Sequence, residues 1–569
     1  MTTNSKLLVL LTVMLSGGPL AAQLELKYED GYSLTHDEVI EAYTHLTDTY
    51  LKCELREMGP SDSGRPIHLF TAGSMSENLP TVLINNAIHP GESCGVDASL
   101  MLVEQLLRED SPILDRINLA IIPMYNVGGA LNRSCCTRAN QEGPIEQGFR
   151  GNARYLDLNR DFIKADSRNA RTFYRIFHEL DPEILVDTHT SNGADYPYTM
   201  TLIQSQSQMI DQHLAHTYDR PLAEALYEAM EPHYPMVPYM NLVGRTPEQG
   251  IVEFPDWPRY STGYAGLFNC YGFTTEAHML KPYRDRVLAT YHFLLGVTRY
   301  SSDHNTALVK NKQKADRNTL SLGKMHLDFE LDTLTVDSID FRGFEVEYLT
   351  SEVTGLERIR YDRSRIWEGK IPYWRNYLGS DEVVIPDYYY IPQAWAEVIE
   401  RLEWNGVEMQ RLEQDTSIVV ESYYIESFES SERPYEGHYL HSEVITRTEK
   451  QEVNFFKGDY IVPTRQRAKR YLVNVLEPRA KDSFFAWGFF DAVLQQKEWF
   501  SPYVFEDMAL DILNKDPELK SEFLKKKEED EAFAKSMWGQ LIYIYRSSEY
   551  YEEGHDRYPV FRSVEMLRE

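Results

Sequence analysis

The amino-acid sequence predicts an α/β fold for the first half of the chain, with a mixed, mostly parallel sheet flanked by helices, followed by a β-rich and then a helical C-terminal region. Continuous apolar runs such as NLAIIPMYN and EILVDTHT are typical of strands that are buried on both faces. These runs alternate with segments in which apolar residues recur at helical spacing. From about residue 324 the pattern changes to the apolar–polar alternation of half-buried strands.

The α/β region is expected to span residues 24–305. Thr35 and Glu38 form a capping box that predicts the start of its first helix. The short runs RPIHLFTAG and TVLIN predict strands, and GVDASLMLVEQLLRED predicts the next helix. The helix SRNARTFYRIFHEL precedes the strand EILVDTHT, and the strand-like GFTTEAH precedes the helix RDRVLATYHFLLGVTRY. Strands that alternate with helices in this way favour a sheet covered by helices.

Residues 1–22 have the pattern of a cleavable secretory signal peptide. Lys6 provides a positive charge, the run from Leu7 to Leu15 is apolar, and small residues end the segment at Ala21 and Ala22. The alternative is a single membrane anchor, but the apolar run is well short of the roughly 20 residues that cross a bilayer. We therefore expect a secreted or periplasmic protein with no stable membrane insertion after cleavage.

Three further regions are predicted after the α/β region. The polar stretch over residues 306–324 is predicted to be a linker, because it contains few apolar residues. Residues 325–480 are predicted to form a β-rich accessory domain, interrupted by a helix in IPQAWAEVIERLEWNG that ends near Gly406. Residues 481–569 are predicted to be helical, with aromatic residues first and a charged, solvated stretch afterwards.

Length and composition exclude several classes of protein. The 569 residues are more than one hydrophobic core usually organises, and the formal net charge of -30 argues against binding to nucleic acid or anionic membranes through a basic surface. Five cysteines are too few for a disulfide-dense scaffold. Since pairing of the adjacent Cys135 and Cys136 would be strained, the cysteines are expected to be mostly structural or free. The oligomeric state is left open.

Two predicted strands end in polar side chains that suit a metal ion. His89 and Glu92 lie three residues apart in HPGE, directly after the strand TVLIN, and His189 lies at the end of EILVDTHT. Ligands of α/β proteins gather where the strands of the sheet end, and a catalytic zinc site needs three protein ligands and one open position. Each signal has a plain alternative, which is a turn with two polar side chains for HPGE and a residue at the edge of the core for His189.

A third cluster of polar residues lies in FRGNARYLDLNRDF. It contains Arg150, Arg154, Asn159 and Arg160 together with Asp157. The alternative interpretation is an ordinary basic loop before a helix. Guanidinium and amide groups, however, also bind carboxylates through paired hydrogen bonds, so this cluster is a candidate binding site for a carboxylate.

Taken in order along the chain, these motifs resemble those of the zinc metallocarboxypeptidase family, whose members share the carboxypeptidase A-like fold. The resemblance covers roughly residues 30–300. It implies one Zn²⁺ per chain, with His89, Glu92 and His189 as the zinc ligands. It also implies that Asp157 is the carboxylate that orients the first zinc histidine, a common arrangement in metal sites.

The same resemblance implies roles for the catalytic and substrate-binding residues. Glu276, in GFTTEAHMLKPY, resembles the general base and acid of the family. Arg150 resembles the arginine that polarises the scissile carbonyl group and stabilises the oxyanion. Asn159 and Arg160 resemble the pair that binds the C-terminal carboxylate of a substrate.

The implied function is hydrolysis of C-terminal peptide bonds of peptides or proteins by a zinc-bound water and a glutamate base. The family tyrosine that caps the substrate carboxylate is either Tyr260 or Tyr264 in PDWPRYSTGY, and Tyr260 is preferred. One alternative function is hydrolysis of another amide, such as a murein peptide or an acylated amino acid. A second alternative is a catalytically inactive peptide-binding protein. The C-terminal half is predicted to be an interaction module for carbohydrate or protein, or a shield for the active-site cleft.

Overall fold

The computed structural model describes residues 26–219 and 221–563, so the predicted signal peptide, residues 1–22, lies outside the described residues. The first part of the chain alternates strands and helices, as its sequence predicts. Its strands are β1 (Cys53–Pro60), β2 (Pro66–Ala72), β3 (Thr81–Asn85), β4 (Asn118–Ile122), β5 (Arg133–Ser134), β6 (Gln147–Gly148), β7 (Ile184–Ser191), β8 (Met200–Gln204), β9 (Met236–Pro238), β10 (Ile251–Val252) and β11 (Tyr271–His278). Its helices are α1 (His36–Thr49), α2 (Cys94–Arg108), α3 (Val127–Leu131), α4 (Arg168–Leu180), α5 (Gln212–Tyr218), α6 (Pro221–Met230), α7 (Ser261–Gly266), α8 (Tyr283–Asp303) and α9 (Asn305–Ser321).

Eight of these strands form one central sheet in the order β1-β2-β4-β3-β7-β11-β8-β9. The inner strands β4, β3, β7 and β11 are parallel to one another, and β9 is parallel to β8. The strand β8 runs antiparallel to β11, and β1 and β2 form an antiparallel hairpin at the opposite edge. The prediction of a mixed, mostly parallel sheet is therefore confirmed.

The apolar runs of the inner strands bury both faces of the sheet. Val82 and Ile84 of β3 pack into one hydrophobic core, while Leu83 between them packs into a second core. Because successive side chains of a strand point to opposite faces, a continuous apolar run fills both cores. Residues of α1, α2, α8 and α9 belong to the first core, and residues of α4 and α7 belong to the second.

The segment over residues 306–324 differs from the predicted linker, because most of it is the helix α9. Its buried residues recur at helical spacing and are Leu308, Lys312, Ala315 and Thr319. Leu308 and Ala315 lie in the first core, and the Lys312 ammonium donates a hydrogen bond to the carbonyl oxygen of Phe268. Two of the four buried positions are polar, so the sequence pattern did not reveal a packed helix.

The second part of the chain is rich in strands and then in helices. Its strands are β12 (Lys324–Leu331), β13 (Asp337–Thr350), β14 (Glu357–Trp374), β15 (Tyr377–Val384), β16 (Tyr388–Ile391), β17 (Gln410–Arg411), β18 (Thr416–Ser430), β19 (His441–Phe455), β20 (Tyr460–Pro463) and β21 (Phe561–Ser563). Its helices are α10 (Ala396–Trp404), α11 (Lys469–Leu476), α12 (Pro502–Lys515), α13 (Pro517–Glu529), α14 (Glu531–Ala534) and α15 (Met537–Arg546). Six of the strands form a second sheet in the order β17-β20-β16-β21-β18-β19.

The two parts of the chain share a hydrophobic core. The second core contains Phe173 of α4 and Tyr264 of α7 together with Tyr389 of β16, Tyr471 of α11 and Trp487. Strand β21, which lies in the region predicted to be helical, pairs with β16 and β18. The predicted accessory domain therefore packs against the α/β region through one continuous core.

The cysteines depart from the sequence-based expectation at one position. Cys135 and Cys136 are joined by a disulfide, contrary to the prediction that adjacent cysteines would avoid the strain of pairing. Cys94 and Cys270 are free and buried, as expected for structural thiols.

Among residues 26–219 and 221–563, no helix combines the length and the hydropathy needed to cross a bilayer.

Candidate metal centre and substrate cleft

The three predicted metal ligands come together at one edge of the central sheet. Strand β3 ends at Asn85, and the chain then turns through His89 and Glu92 before α2 begins at Cys94. His189 lies near the end of β7, which is parallel to β3 and adjacent to it. Ligand atoms of His89, Glu92 and His189 lie within 4.8 Å of one another, and all three residues are buried.

Both histidines present the same ring nitrogen to Glu92. His89 Nδ1 lies 3.2 Å from Glu92 Oε1, and His189 Nδ1 lies 3.0 Å from Glu92 Oε2. The opposite ring nitrogens face carboxylates, since His89 Nε2 lies 2.9 Å from Asp157 Oδ1 and His189 Nε2 lies 3.0 Å from Asp187 Oδ2. Carboxylates in this position hold the ring proton on Nε2 and leave Nδ1 free to bind a metal ion.

This set of donors fits a zinc ion. Two imidazole nitrogens and one carboxylate form a ligand set of catalytic zinc sites, in which the fourth position stays open. Burial raises the pKa of Glu92, but Arg138 and the two histidines outweigh burial and hold that pKa well below its usual value. The carboxylate of Glu92 is therefore anionic, as a zinc ligand must be. Within the described residues, no other group of three or more such donors is found.

Glu276 faces the same space as the candidate metal ligands. It lies on β11, in register with His189 of the parallel strand β7. Burial raises the pKa of the Glu276 carboxyl to about 8, and Glu92 adds to this shift while His189 opposes it. Since a nearby divalent cation favours the anionic form of a carboxyl group, Glu276 is suited to accept and return a proton near neutral pH.

Arg150 and Asp157 form a connected pair beside the metal ligands. Arg150 Nη2 lies 2.8 Å from Asp157 Oδ2, and Arg150 Nη1 lies 3.6 Å from Glu92 Oε1. Burial raises the pKa of Asp157, but His89 and Arg150 outweigh it and hold that pKa well below its usual value. Asp157 therefore contacts His89 and Arg150 at the same time, whereas the sequence predicted a contact with His89 alone.

The candidate residues for carboxylate binding lie next to this pair. The ring of Tyr260 packs against Arg160, with 4.6 Å between the ring centroid and the guanidinium carbon. Arg160 Nη1 donates a hydrogen bond to the carbonyl oxygen of Asn159 over 2.8 Å. Tyr264, the other candidate tyrosine, is fully buried in the second core and donates a hydrogen bond to Asn405 over 2.6 Å. The geometry therefore favours Tyr260 as the tyrosine of the cleft.

A single cleft of about 240 Å³ unites the predicted site residues. Asp157 does not line this cleft, because it contacts His89 through Nε2, the ring nitrogen opposite the one that faces Glu92. The predicted residues that line the cleft are His89, Glu92, Arg150, Asn159, Arg160, His189, Tyr260 and Glu276.

Several further residues of the site were missed from the sequence. Asp187 precedes His189 by two residues on a strand, and this spacing, which puts both side chains on one face, was an available signal. Arg138 Nη1 lies 2.8 Å from Glu92 Oε1, but Arg138 belongs to the irregular loop between β5 and β6, where no sequence motif indicates a site residue. Asp256 lines the cleft, and burial raises the pKa of its carboxyl to about 7.

Comparisons with known proteins give a family match and several relatives. Residues 40–257 match the family model described as zinc carboxypeptidase. Carboxypeptidase 2 of Trichophyton rubrum is 22% identical over 508 residues, which cover 81% of this chain and 85% of that protein. Carboxypeptidase 2 of Trichophyton tonsurans is 23% identical over 513 residues, with the same shares covered.

Similar solved structures cover about half of the chain. A metallo-carboxypeptidase from Burkholderia cenocepacia is 18% identical and covers 47% of this chain and 69% of that chain, with a TM-score of 0.37. The carboxypeptidase A from Helicoverpa armigera is 14% identical and covers 48% of this chain and 74% of that chain, with a TM-score of 0.36.

Proposed function

We propose that the enzyme removes amino acids from the C-termini of peptides or proteins, and the premise of this proposal is that residues 40–257 match the family model described as zinc carboxypeptidase. The observation that carries the proposal is the cleft, in which a candidate three-donor metal centre, the Glu276 carboxyl and three guanidinium groups, those of Arg138, Arg150 and Arg160, face one volume. A metal centre beside guanidinium groups suits a substrate that ends in a free carboxylate.

We assign His89, Glu92 and His189 as the ligands of one zinc ion per chain. A zinc ion bound by these residues would act as a Lewis acid, which polarises a carbonyl group and lowers the pKa of water. Asp157 and Asp187 hold the two imidazole rings so that each Nδ1 faces the metal position.

Glu276 and Arg150 carry the chemical step in this proposal. Glu276 accepts a proton from the attacking water and donates it to the amine that leaves. The Arg150 guanidinium stabilises the negative charge that develops on the carbonyl oxygen. The ion pair with Asp157 fixes the guanidinium before the substrate arrives, so little reorganisation is needed during the reaction.

Asn159, Arg160 and Tyr260 bind the substrate's terminal carboxylate in this proposal. The guanidinium offers paired donors to the two carboxylate oxygens, and the Tyr260 ring supports the guanidinium plane. A fixed chain end restricts cleavage to the last peptide bond. The relatives named carboxypeptidase 2 support peptide C-termini as the substrate class.

We further propose that residues 1–22 direct the chain out of the cytoplasm, either to a periplasm or to the medium.

A peptide-release assay tests this function. The purified enzyme is expected to shorten free-carboxylate peptides residue by residue from the C-terminus, and to leave peptides with a C-terminal amide intact, as followed by mass spectrometry. A chelator should stop the release and added zinc should restore it. The Glu276→Gln variant should keep about one zinc per chain by elemental analysis and lose release by about 10²- to 10⁴-fold.

The exposed Glu41 of α1 provides a matched control, because Glu41→Gln changes the same chemical group far from the cleft. That variant should release amino acids at the wild-type rate. Full activity of Glu276→Gln would refute the assigned base. Cleavage of murein peptides or acylated amino acids alone, with ordinary peptides left intact, would instead support the alternative amide substrate.

A further inference from the structure

The loop between β18 and β19 extends from the C-terminal region to the cleft of the α/β region. This loop comprises residues 431–440 and is called the cleft loop. The Tyr435 hydroxyl accepts a hydrogen bond from Arg160 Nε over 2.9 Å. Glu436 Oε2 accepts a hydrogen bond from the backbone N–H of Asp157 over 2.7 Å. The cleft loop therefore contacts two residues of the candidate site, although more than 270 residues separate it from them in the chain.

The ring of Tyr435 is held in place by Trp487 and Arg259, which also contact each other, with 5.2 Å between the guanidinium carbon and the Trp487 ring centroid. It is stacked on the buried Trp487, with 6.0 Å between the ring centroids and 16° between the ring planes. The guanidinium of Arg259 lies 5.9 Å from the Tyr435 centroid. Arg259 is itself fixed, since its Nε donates a hydrogen bond to the buried Asp482 over 2.8 Å. The Tyr435 hydroxyl is therefore presented to Arg160 from a rigid support.

The cleft loop and the segment that follows Arg160 are also joined by bonds that do not involve Tyr435. His438 Nε2 lies 2.6 Å from Asp166 Oδ2, which ties the cleft loop to the segment that follows Arg160. Asp166 Oδ2 also accepts a hydrogen bond from the buried Lys164 over 2.6 Å. Because these bonds fix the relative position of the loop and the segment, the bond between Tyr435 and Arg160 acts on the guanidinium orientation.

The bonds of Arg160 leave part of its guanidinium directed to the cleft. Nε is used by Tyr435, and Nη1 donates to the carbonyl oxygen of Asn159. Nη2 is not used by these bonds, and Arg160 lines the cleft. An arginine held in its binding conformation does not have to be ordered when the substrate binds, so affinity increases.

We propose that Tyr435 is a positioning residue of the active site, which fixes the Arg160 guanidinium for the substrate's terminal carboxylate, so that the C-terminal region completes the site. This inference rests on the proposed function, because it assumes that Arg160 binds a carboxylate. It assigns the C-terminal region a direct part in substrate recognition.

The Tyr435→Phe variant tests the inference, because it removes the hydroxyl and keeps the ring that stacks on Trp487. The probes are an N-acetylated amino acid with a free carboxylate and its carboxamide analogue, titrated calorimetrically into the zinc-loaded full-length protein. The variant should bind the carboxylate about three- to tenfold more weakly than the wild type, with unchanged affinity for the carboxamide. Tyr439→Phe, at an exposed position of the same loop, should change neither affinity.

A double-variant measurement separates positioning from a structural role. If Tyr435 acts through Arg160, Tyr435→Phe should cause no further loss of carboxylate affinity in an Arg160→Lys background. Equal losses for both probes together with a lower melting temperature would indicate a structural role and overturn the inference. Wild-type carboxylate affinity in Tyr435→Phe would also overturn it, and the proposed function would stand. If the wild type itself bound both probes equally, the proposed carboxylate recognition would fail and the inference with it.

Discussion

At the scale of single residues, one arrangement is used twice in the candidate metal centre. Each histidine faces Glu92 through Nδ1 and an aspartate through Nε2. Asp157 on the first histidine was predicted from the sequence, whereas Asp187 on the second was not. Asp187 is completely buried and also accepts a hydrogen bond from the Ser261 hydroxyl, so its carboxylate has a fixed orientation.

The Asp187→Asn variant is expected to bind zinc about 10- to 100-fold more weakly than the wild type. The asparagine amide can donate a hydrogen bond to His189 Nε2, which places the ring proton on Nδ1 and blocks the metal-binding nitrogen. Zinc affinity is measured by competition with a chromophoric chelator. Asp48→Asn, at an exposed position of α1, is the control and should bind zinc normally. Wild-type affinity in Asp187→Asn would contradict the orienting role.

At the scale of secondary-structure elements, close packing of α2 against β7 supports the candidate metal centre. Gly95, the second residue of α2, lies so close to β7 that a Cβ atom would stand 2.0 Å from Thr188 Oγ1. Thr188 precedes His189 and donates a hydrogen bond to Asn86 Oδ1 over 2.8 Å. The turn that carries His89, the start of α2 and strand β7 are therefore packed as one unit.

Alanine at position 95 is expected to lower the free energy of unfolding by about 1–3 kcal/mol, because the added methyl group overpacks the contact with Thr188. The control is Gly296→Ala in α8, where the Cβ atom would meet its nearest neighbours at 3.5 and 3.6 Å. An alanine there should raise the free energy of unfolding by about 0.5–1 kcal/mol, as is usual in a helix. Urea unfolding measures both variants. Equal stabilisation of the two would refute the packing argument.

At the scale of the whole molecule, the contact between the α/β region and the C-terminal region is polar as well as apolar. His178 of α4 lies at this contact, with Nε2 3.1 Å from the Tyr264 hydroxyl and 3.4 Å from Asn405 Oδ1. Burial lowers the pKa of His178 from 6.5 to about 4, with a smaller opposing effect from Asn405. The His178 ring therefore stays neutral in the folded protein at pH values where the same ring in the unfolded chain has already bound a proton.

The stability of the protein is expected to depend on pH through this group. The contribution of His178 is fully present above pH 6.5 and is lost as the pH falls towards 4, by on the order of 3 kcal/mol. The His178→Gln variant should lose less stability than the wild type over this interval, as measured by urea unfolding of the metal-free protein. The exposed His216 provides the control, and His216→Gln should keep the wild-type pH dependence. Parallel pH profiles for wild type and His178→Gln would contradict this account.

The sequence was most informative where function depends on residues close together in the chain. HPGE and the strand before it predicted two metal ligands, and FRGNARYLDLNRDF predicted Arg150, Asp157 and Arg160 as neighbours. The inner strands of the sheet were predicted because burial on both faces requires continuous apolar runs. The helix α9 was not predicted, because the pattern of its buried positions includes a lysine and a threonine.

The sequence by itself determined the α/β class, the order of the chemical motifs and the candidate ligands His89, Glu92 and His189, because each depends on local periodicity or on a short motif. The spacing of Asp187 and His189 was also present in the sequence. Only the tertiary structure favoured Tyr260 over Tyr264 as the tyrosine of the cleft, added Arg138, and joined Tyr435 to Arg160. These contacts depend on strand register and loop conformation, and the last one connects atoms 275 residues apart in the chain. Such contacts are set by the packing of the whole molecule, which leaves no pattern in the neighbouring sequence.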